Sequence, residues 1–230
     1  MELLGVIPAR GDSKGIARKN VAPLCGKPLL AWTCEAALAC PTLTRVVVST
    51  DDQEIADVAK KYGVSTPFLR PPELAQDDTP MIPVLQHLLR TMEEREQYRP
   101  DAIVLLQPTS PLRTAAHITR AIQIFTETGA DTVVSVTPVA HNVHPHSLMR
   151  MQDGELLRLD DAPLKLRRQD KEPLYARNGP AIIIVRTTLL LQEGIFYGKH
   201  CKPFVMDRVS SVDIDDAEDL AYAEFLLSRA

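Results

Sequence analysis

From its amino terminus the chain opens on an unbroken apolar run, Leu3-Leu4-Gly5-Val6-Ile7, and four more runs of strand length follow at 45–49, 102–106, 132–136 and 181–185. Each is short and almost continuously apolar, the pattern of strands covered on both faces. Between the runs the period changes. Ile55, Val58, Ala59 and Tyr62 fall at i, i+3, i+4 and i+7 behind Asp51 and Asp52, two candidate caps. Ile118, Ala121, Ile122 and Phe125 repeat the spacing behind Thr114. Ile82, Leu85, Leu89 and Met92 follow Thr79-Pro80, which predicts a threonine cap with proline at the first helical position. Leu220, Ala223 and Leu227 mark a final helix. Strands alternating with helices predict a mainly parallel α/β sheet, whose ligands bind at the carboxyl ends of the strands.

One stretch breaks this rhythm. Residues 137–178 are polar and irregular, with His141, His144 and His146, an Asp153-Gly154 turn and a basic Lys165-Leu166-Arg167-Arg168 run. A structureless loop of that length is uncommon inside a compact domain, so the stretch reads as an inserted lobe.

Composition narrows the class. The 230 residues are 45% hydrophobic and 24% charged, enough for one large domain or a core domain with an appended lobe. A net charge of −4 favours neither nucleic acid nor an anionic membrane, so any anionic ligand must be met by locally concentrated Arg and Lys. There is no cationic leader and no run of about 18–20 apolar residues, which predicts a cytoplasmic protein. Cys25, Cys34, Cys40 and Cys201 form no metal-binding spacing and are expected to be reduced, buried thiols.

The strongest chemical signal leaves the first strand. From Arg10 to Asn20 the chain places four cations (Arg10, Lys14, Arg18, Lys19) in eleven residues, with Gly11 and Gly15 and the small polar residues Asp12 and Ser13 among them. Glycines admit backbone N–H groups close to phosphate oxygens, and Arg and Lys neutralise their charge. The spacing fits neither a Walker A loop nor a GxGxxG turn. Asp213 and Asp215, two apart in an apparently extended segment, would face one way and suit a hard divalent cation such as Mg²⁺. The competing assignment makes Asp215 and Asp216 caps of the final helix, with Glu218 and Asp219 complementing its dipole. Gln107 follows the third strand in Leu106-Gln107-Pro108-Thr109-Ser110-Pro111, where two prolines stiffen the loop. Ser110 lacks a GxSxG elbow and is rejected as a nucleophile. The three lobe histidines lack a regular zinc scaffold and are assigned to the lobe surface or a subunit contact.

In order along the chain, Arg10…Ser13-Lys14-Gly15…Lys19-Asn20, Leu24…Gly26-Lys27-Pro28-Leu29, Val48-Ser49-Thr50-Asp51, 69–75, 106–113, Arg167-Arg168-Gln169, Asn178-Gly179 and 212–215 resemble the motifs of the acylneuraminate cytidylyltransferases. Each motif is moderately specific; the ordered set, over nearly the whole chain, is highly specific. The resemblance implies a three-layer α/β/α nucleotidyltransferase, Rossmann-like and GT-A-like, with a mainly parallel sheet and an inserted dimerisation lobe. It implies transfer of CMP from CTP to a nonulosonic (sialic-type) acid, with Mg²⁺ on Asp213 and Asp215 and a homodimer as the working form. Arg10, Lys14 and Lys19 would neutralise the triphosphate, with Gly11, Ser13 and Asn20 hydrogen-bonding it and Arg70 and Thr79 near the nucleotide. Gln107 would contact the acceptor sugar or the metal's water shell and Arg168 the acceptor, Arg168 being preferred over Arg167 for the acceptor carboxylate. Arg10, Lys19, Gln107, Arg168 and Asp213 form the implied catalytic set. Two departures fall on the acceptor side: Ser147 follows the His-Pro pair where some members carry lysine, and Pro180 precedes Ala181. A related nucleotidyltransferase for 3-deoxy-manno-octulosonate or another small acceptor, such as a phosphorylated molecule, and a non-catalytic nucleotide sensor are the alternatives.

Overall fold

A computed structural model describes residues 1–159, 167–179 and 181–229. In chain order the strands are β1 (Leu3–Pro8), β2 (Pro23–Leu24), β3 (Lys27–Pro28), β4 (Arg45–Ser49), β5 (Ala102–Leu105), β6 (Thr132–Pro138), β7 (Met149–Gln152), β8 (Glu155–Arg158), β9 (Tyr175–Arg177), β10 (Ile183–Arg186) and β11 (Cys201–Val205). The helices are α1 (Leu29–Leu38), α2 (Gln53–Lys61), α3 (Met81–Glu96), α4 (Ala115–Thr128) and α5 (Ala217–Leu227).

The five apolar runs all become strands of one seven-stranded sheet, ordered β11-β6-β10-β5-β1-β4, with β9 added on β6. β4 and β5 pair parallel with β1, and β11 parallel with β6, while β10 runs antiparallel to β5 and β6. The run at 181–185 therefore enters the sheet reversed. Its chain returns from the excursion after β6 at the carboxyl end of the sheet with no helix to carry it back, which leaves antiparallel pairing as the available direction.

Strand side chains alternate between two cores. Leu3, Ile7, Val48 and Val104 pack with Leu30, Cys34, Ile55, Ala59, Ile118 and Phe125, so α1, α2 and α4 cover one face. Leu4, Val6, Val47 and Ile103 pack with Leu85, Leu88, Met92, Leu189 and Leu190, so α3 and Leu189–Glu193 cover the other. The result is the three-layer α/β/α arrangement. Helix starts follow local chemistry: Asp52 accepts from Ile55 N–H at 3.0 Å to cap α2, and Thr114 caps α4 through His117. The expected Thr79 cap is not formed. α3 starts after Pro80, and the Thr79 hydroxyl instead donates to the Glu73 carbonyl at 3.5 Å. Helix α1 has no amphipathic period because Leu29, Leu30, Ala31, Thr33, Cys34 and Ala37 are all buried. All four cysteines are free thiols; Cys34 and Cys40 are buried as expected, whereas Cys201 is exposed.

The chain runs from β1 to β4 on one side and then crosses to β5 on the other, so the loops after β1 and β5 diverge at a topological switch point. Beyond β6, the hairpin β7–β8 stands away from the sheet with every residue exposed. Asn178 ties the returning chain down. Its Oδ1 accepts from the Ser135 hydroxyl at 2.7 Å, and its Nδ2 donates to Ser211 Oγ at 2.9 Å. Asn178→Ala leaves Ser135 and Ser211 without these partners and is expected to lower stability by about 1–3 kcal/mol, read as a fall in thermal midpoint.

Candidate active site

The loop after β1 is closed on itself before it meets any ligand. The buried Asn20 donates from Nδ2 to the Arg10 carbonyl at 2.9 Å, and Gly11 N–H donates to Asp51 Oδ1 at 3.1 Å. Gly11 has no room for a side chain, since a Cβ there would lie 2.9 Å from Asp52 Oδ2. Arg18, one of the four loop cations, turns away at φ +52° and pairs with Asp52 at 3.0 Å and Glu54 at 2.6 Å. It staples the loop to α2, and its guanidinium holds the Asp52 carboxyl below the usual carboxylate range.

The segment 212–216 docks against this loop from the far end of the chain. Ile214 is fully buried with Leu24, Leu29 and Ala223. Its N–H donates to the Thr109 carbonyl at 2.9 Å, and its carbonyl accepts from Lys19 Nζ at 2.7 Å. Lys19 also lies 3.7 Å from Asp215 Oδ1. Gly15 packs so closely that a Cβ would sit 2.0 Å from the Asp215 carbonyl oxygen. Three loops distant in sequence, 9–20, 106–113 and 212–216, are thus one assembly.

Between them and the 70–84 segment lies a cleft of about 490 Å³, within the size range of small-ligand sites. Arg10, Ser13, Lys14, Lys19, Asn20, Arg70, Thr79, Gln107 and Asp215 all line it. Gly11 sits beneath, against Asp51 and Asp52, rather than on the wall. Arg70 is buried, donating to the Ser49 carbonyl at 2.6 Å. Burial pulls its guanidinium below the ordinary value, an effect offset in part by Asp51 and reinforced by Arg10. Gln107 is held through its own carbonyl, which accepts from Arg113 Nη1 at 2.9 Å. Arg113 is buried and also donates to the Ala181 carbonyl and to Thr33, so an interior cation positions the cleft loop. Ser110 is buried with its hydroxyl unpartnered among the described residues, in keeping with its rejection as a nucleophile.

The two aspartates differ. Asp215 is exposed and lines the cleft, whereas Asp213 is half-buried against Gly179, whose lack of a side chain lets it approach the carboxylate. Burial pushes the Asp213 carboxyl above the usual carboxylate range; Asp215 adds to this, and Thr109 and Lys19 offset part of it. Asp213 Oδ1 has no hydrogen-bond partner among the described residues. A buried, unpartnered carboxylate oxygen beside a second carboxylate fits a hard divalent cation that takes one or two protein carboxylates and completes its shell with water and phosphate. Asp216, by contrast, caps α5 in a capping box with Asp219, so the helix-cap assignment holds for it.

The acceptor end is less complete. The Arg168 side chain lies outside the described residues, as do Lys165 and Leu166 of the basic run. His144 is buried, stacks on His146 at 5.3 Å and places Nε2 3.2 Å from the Glu172 carbonyl, which makes it a structural residue of the lobe. No group of three or more His, Cys, Asp or Glu able to hold a metal occurs among the described residues. Sequence reasoning missed Arg113, which carries no exposed or periodic signal, and Asp77, which bonds Arg10 and Lys14 from outside the cleft.

A profile of the cytidylyltransferase family matches residues 4–229. The chain is 38% identical to the CMP-N,N'-diacetyllegionaminic acid synthase of Legionella pneumophila, covering 99% of this chain and 97% of that one. It is 35% identical to an N-acylneuraminate cytidylyltransferase of Escherichia coli over 96% of its length, spanning 51% of that relative. Among solved structures, a CMP:2-keto-3-deoxy-manno-octonic acid synthetase complexed with CTP superposes with a TM-score of 0.73 at 16% identity, covering 100% of this chain and 99% of that one. That likeness shows the shared fold.

If the docking of Gly15 onto 215 builds the cleft, Gly15→Ala is expected to retain the folded circular dichroism spectrum while weakening nucleotide binding by at least tenfold in calorimetry. Binding within twofold of the parent would show that the close approach is dispensable.

Proposed function

Because the chain belongs to the cytidylyltransferase family, we propose that it transfers CMP from CTP to the anomeric hydroxyl of a nonulosonic acid, releasing pyrophosphate. The observation that carries this is the docking of the Asp213–Asp215 segment onto the cationic loop through Lys19 and Gly15, which sets Asp215 in the same cleft as Arg10, Lys14 and Lys19. Relatives named for legionaminic and acylneuraminic acids support the acceptor class.

In the reaction the acceptor oxygen forms a bond to the α-phosphorus of CTP, the bond from that phosphorus to the bridging β-oxygen breaks, and the hydroxyl proton passes to water. Arg10, Lys14 and Lys19 hold the triphosphate and neutralise its charge, and Ser13 and Asn20 present hydrogen-bonding groups on the same wall. Gln107, fixed by Arg113, orients the acceptor hydroxyl, and Arg168 is assigned to the acceptor carboxylate. Asp213 and Asp215 would hold Mg²⁺, which supplies positive charge to the phosphates and the leaving pyrophosphate. Among the described residues that line the cleft, Asp215 is the one carboxylate and there is no histidine, so catalysis rests on positioning and charge neutralisation.

The working form is proposed to be a homodimer in the cytoplasm. Supporting the dimer, the projecting hairpin exposes Met149, Met151, Leu156 and Leu157, and a two-stranded hairpin with uncovered apolar residues is marginal alone. In keeping with a soluble compartment, no helix among the described residues is long and apolar enough to cross a membrane.

A pyrophosphate-release assay with CTP, Mg²⁺ and a panel of nonulosonic acids is expected to show turnover with at least one acid; no turnover with any would sink the proposal. Asp213→Asn separates the metal role from folding. An acid whose folded pKa is raised opposes folding wherever it is ionised, that is, above that pKa. At neutral pH and without metal the variant is therefore expected to melt at a higher temperature than the parent, while losing Mg²⁺-dependent turnover. An unchanged rate would show that Asp213 is not a metal ligand.

A further inference from the structure

Arg10 and Lys14 belong to one loop, but neither is held by it. Arg10 Nη1 donates to the Gln76 carbonyl at 3.1 Å, and Nη2 lies 2.9 Å from Asp77 Oδ1. Lys14 Nζ lies 3.3 Å from the other oxygen, Asp77 Oδ2. One carboxylate thus uses both oxygens to hold two cations that would otherwise repel each other. Lys14 is three-quarters exposed, and nothing else on its own loop fixes its ammonium.

The side from which Asp77 makes these contacts decides its role. Arg10 and Lys14 line the nucleotide cleft, but Asp77 does not. It borders a neighbouring cavity of about 590 Å³, which shares Lys14 and Gln76 with the cleft, together with Asp12, Asp51 and Asp78. The carboxylate thus reaches the two cations from outside the residues that line the cleft, leaving the cleft open with Asp77 in place. The segment that carries it is also braced: Gln76 Nε2 donates to the Pro72 carbonyl at 2.8 Å, and Thr79 N–H donates to the Gln76 carbonyl at 3.2 Å.

We propose that Asp77 is a positioning residue for the triphosphate site, holding the Arg10 guanidinium and the Lys14 ammonium together at the cleft wall from behind. This rests on the assignment of the cleft to a nucleoside triphosphate. Two effects of the carboxylate oppose each other. Its negative charge lowers the positive potential that phosphate meets, while its bonds remove the cost of bringing two mobile cations into one geometry. Because the neighbouring Gln76 and Thr79 are braced, the second effect is inferred to be the larger. Removing Asp77 must then weaken phosphate binding even though it makes the site more positive.

That sign is the test. Binding of inorganic tripolyphosphate, measured by calorimetry in the wild-type chain, Asp77→Ala, Asp77→Glu, Arg10→Met and the Arg10→Met/Asp77→Ala double variant, needs neither base, acceptor nor turnover. Asp77→Ala is expected to weaken binding about tenfold, Asp77→Glu to recover to within about threefold, and the Asp77→Ala effect to shrink to about threefold or less when Arg10 is already absent. A structural role for Asp77 would add independently of Arg10. Equal or tighter binding in Asp77→Ala, or full additivity in the double variant, overturns the proposal. Wild-type protein that binds tripolyphosphate but turns over no nonulosonic acid would defeat the proposed reaction and leave the role of Asp77 intact. Asp77 lies on an exposed loop outside every helix and strand, so the Asp77 variants are expected to keep the fold, which circular dichroism checks for every variant.

Discussion

The site depends on one long-range contact, the seating of residues 212–216 against the loop after β1. It joins positions almost two hundred residues apart through the Lys19 ammonium on the Ile214 carbonyl and the backbone of Gly15 under that of Asp215. Ile214 anchors it, fully buried in a small apolar cluster with α1 and α5. Because the anchor is apolar and the residues on either side are acidic, one hydrophobic side chain fixes two carboxylates. The Thr109 carbonyl accepting from Ile214 N–H brings the Gln107 loop into the same unit. Without this contact the cations of the first loop would be a phosphate-binding turn and nothing more.

The same region carries charge that the fold alone would not choose. Asp213 is half-buried with its Oδ1 buried and unpartnered among the described residues, Arg70 is buried against backbone carbonyls, and Arg113 sits in the interior bonded to carbonyls and a hydroxyl. Isolated buried charge opposes folding unless something compensates for it. Under the proposed function, a phosphate group would compensate Arg70 and its neighbours, and a divalent cation would compensate the aspartates. Local cost concentrated at one end of an otherwise well-packed sheet is what a functional site is expected to show.

Much of the fold was legible because it rests on local pattern. Apolar runs became strands, and Asp52 and Thr114 capped the helices their spacing announced. α1 escaped detection because it is buried on most sides and so lacks a helical period. The reversal of β10 depends on where the chain re-enters the sheet, which no window of residues contains. Thr79 followed the sequence rule for a cap, but its hydroxyl found the Glu73 carbonyl instead. At the site, residue type and order marked Arg10, Lys14, Lys19, Gln107 and Asp215 as cleft residues. Direction was not legible: Arg18, equally basic, faces α2, and Asp77 and Arg113 act from behind the wall, where only three-dimensional packing reveals them.

The central claim is that the first loop and the Asp213–Asp215 segment form a single nucleotide and metal site. Its most direct test is a crystal structure of the protein with CTP and Mn²⁺, read by the anomalous signal of the metal. The account predicts a manganese peak in contact with Asp213, Asp215 and the triphosphate, with Arg10 and Lys14 on the phosphates. A metal peak away from both aspartates, or a triphosphate outside the 10–20 loop, would contradict it.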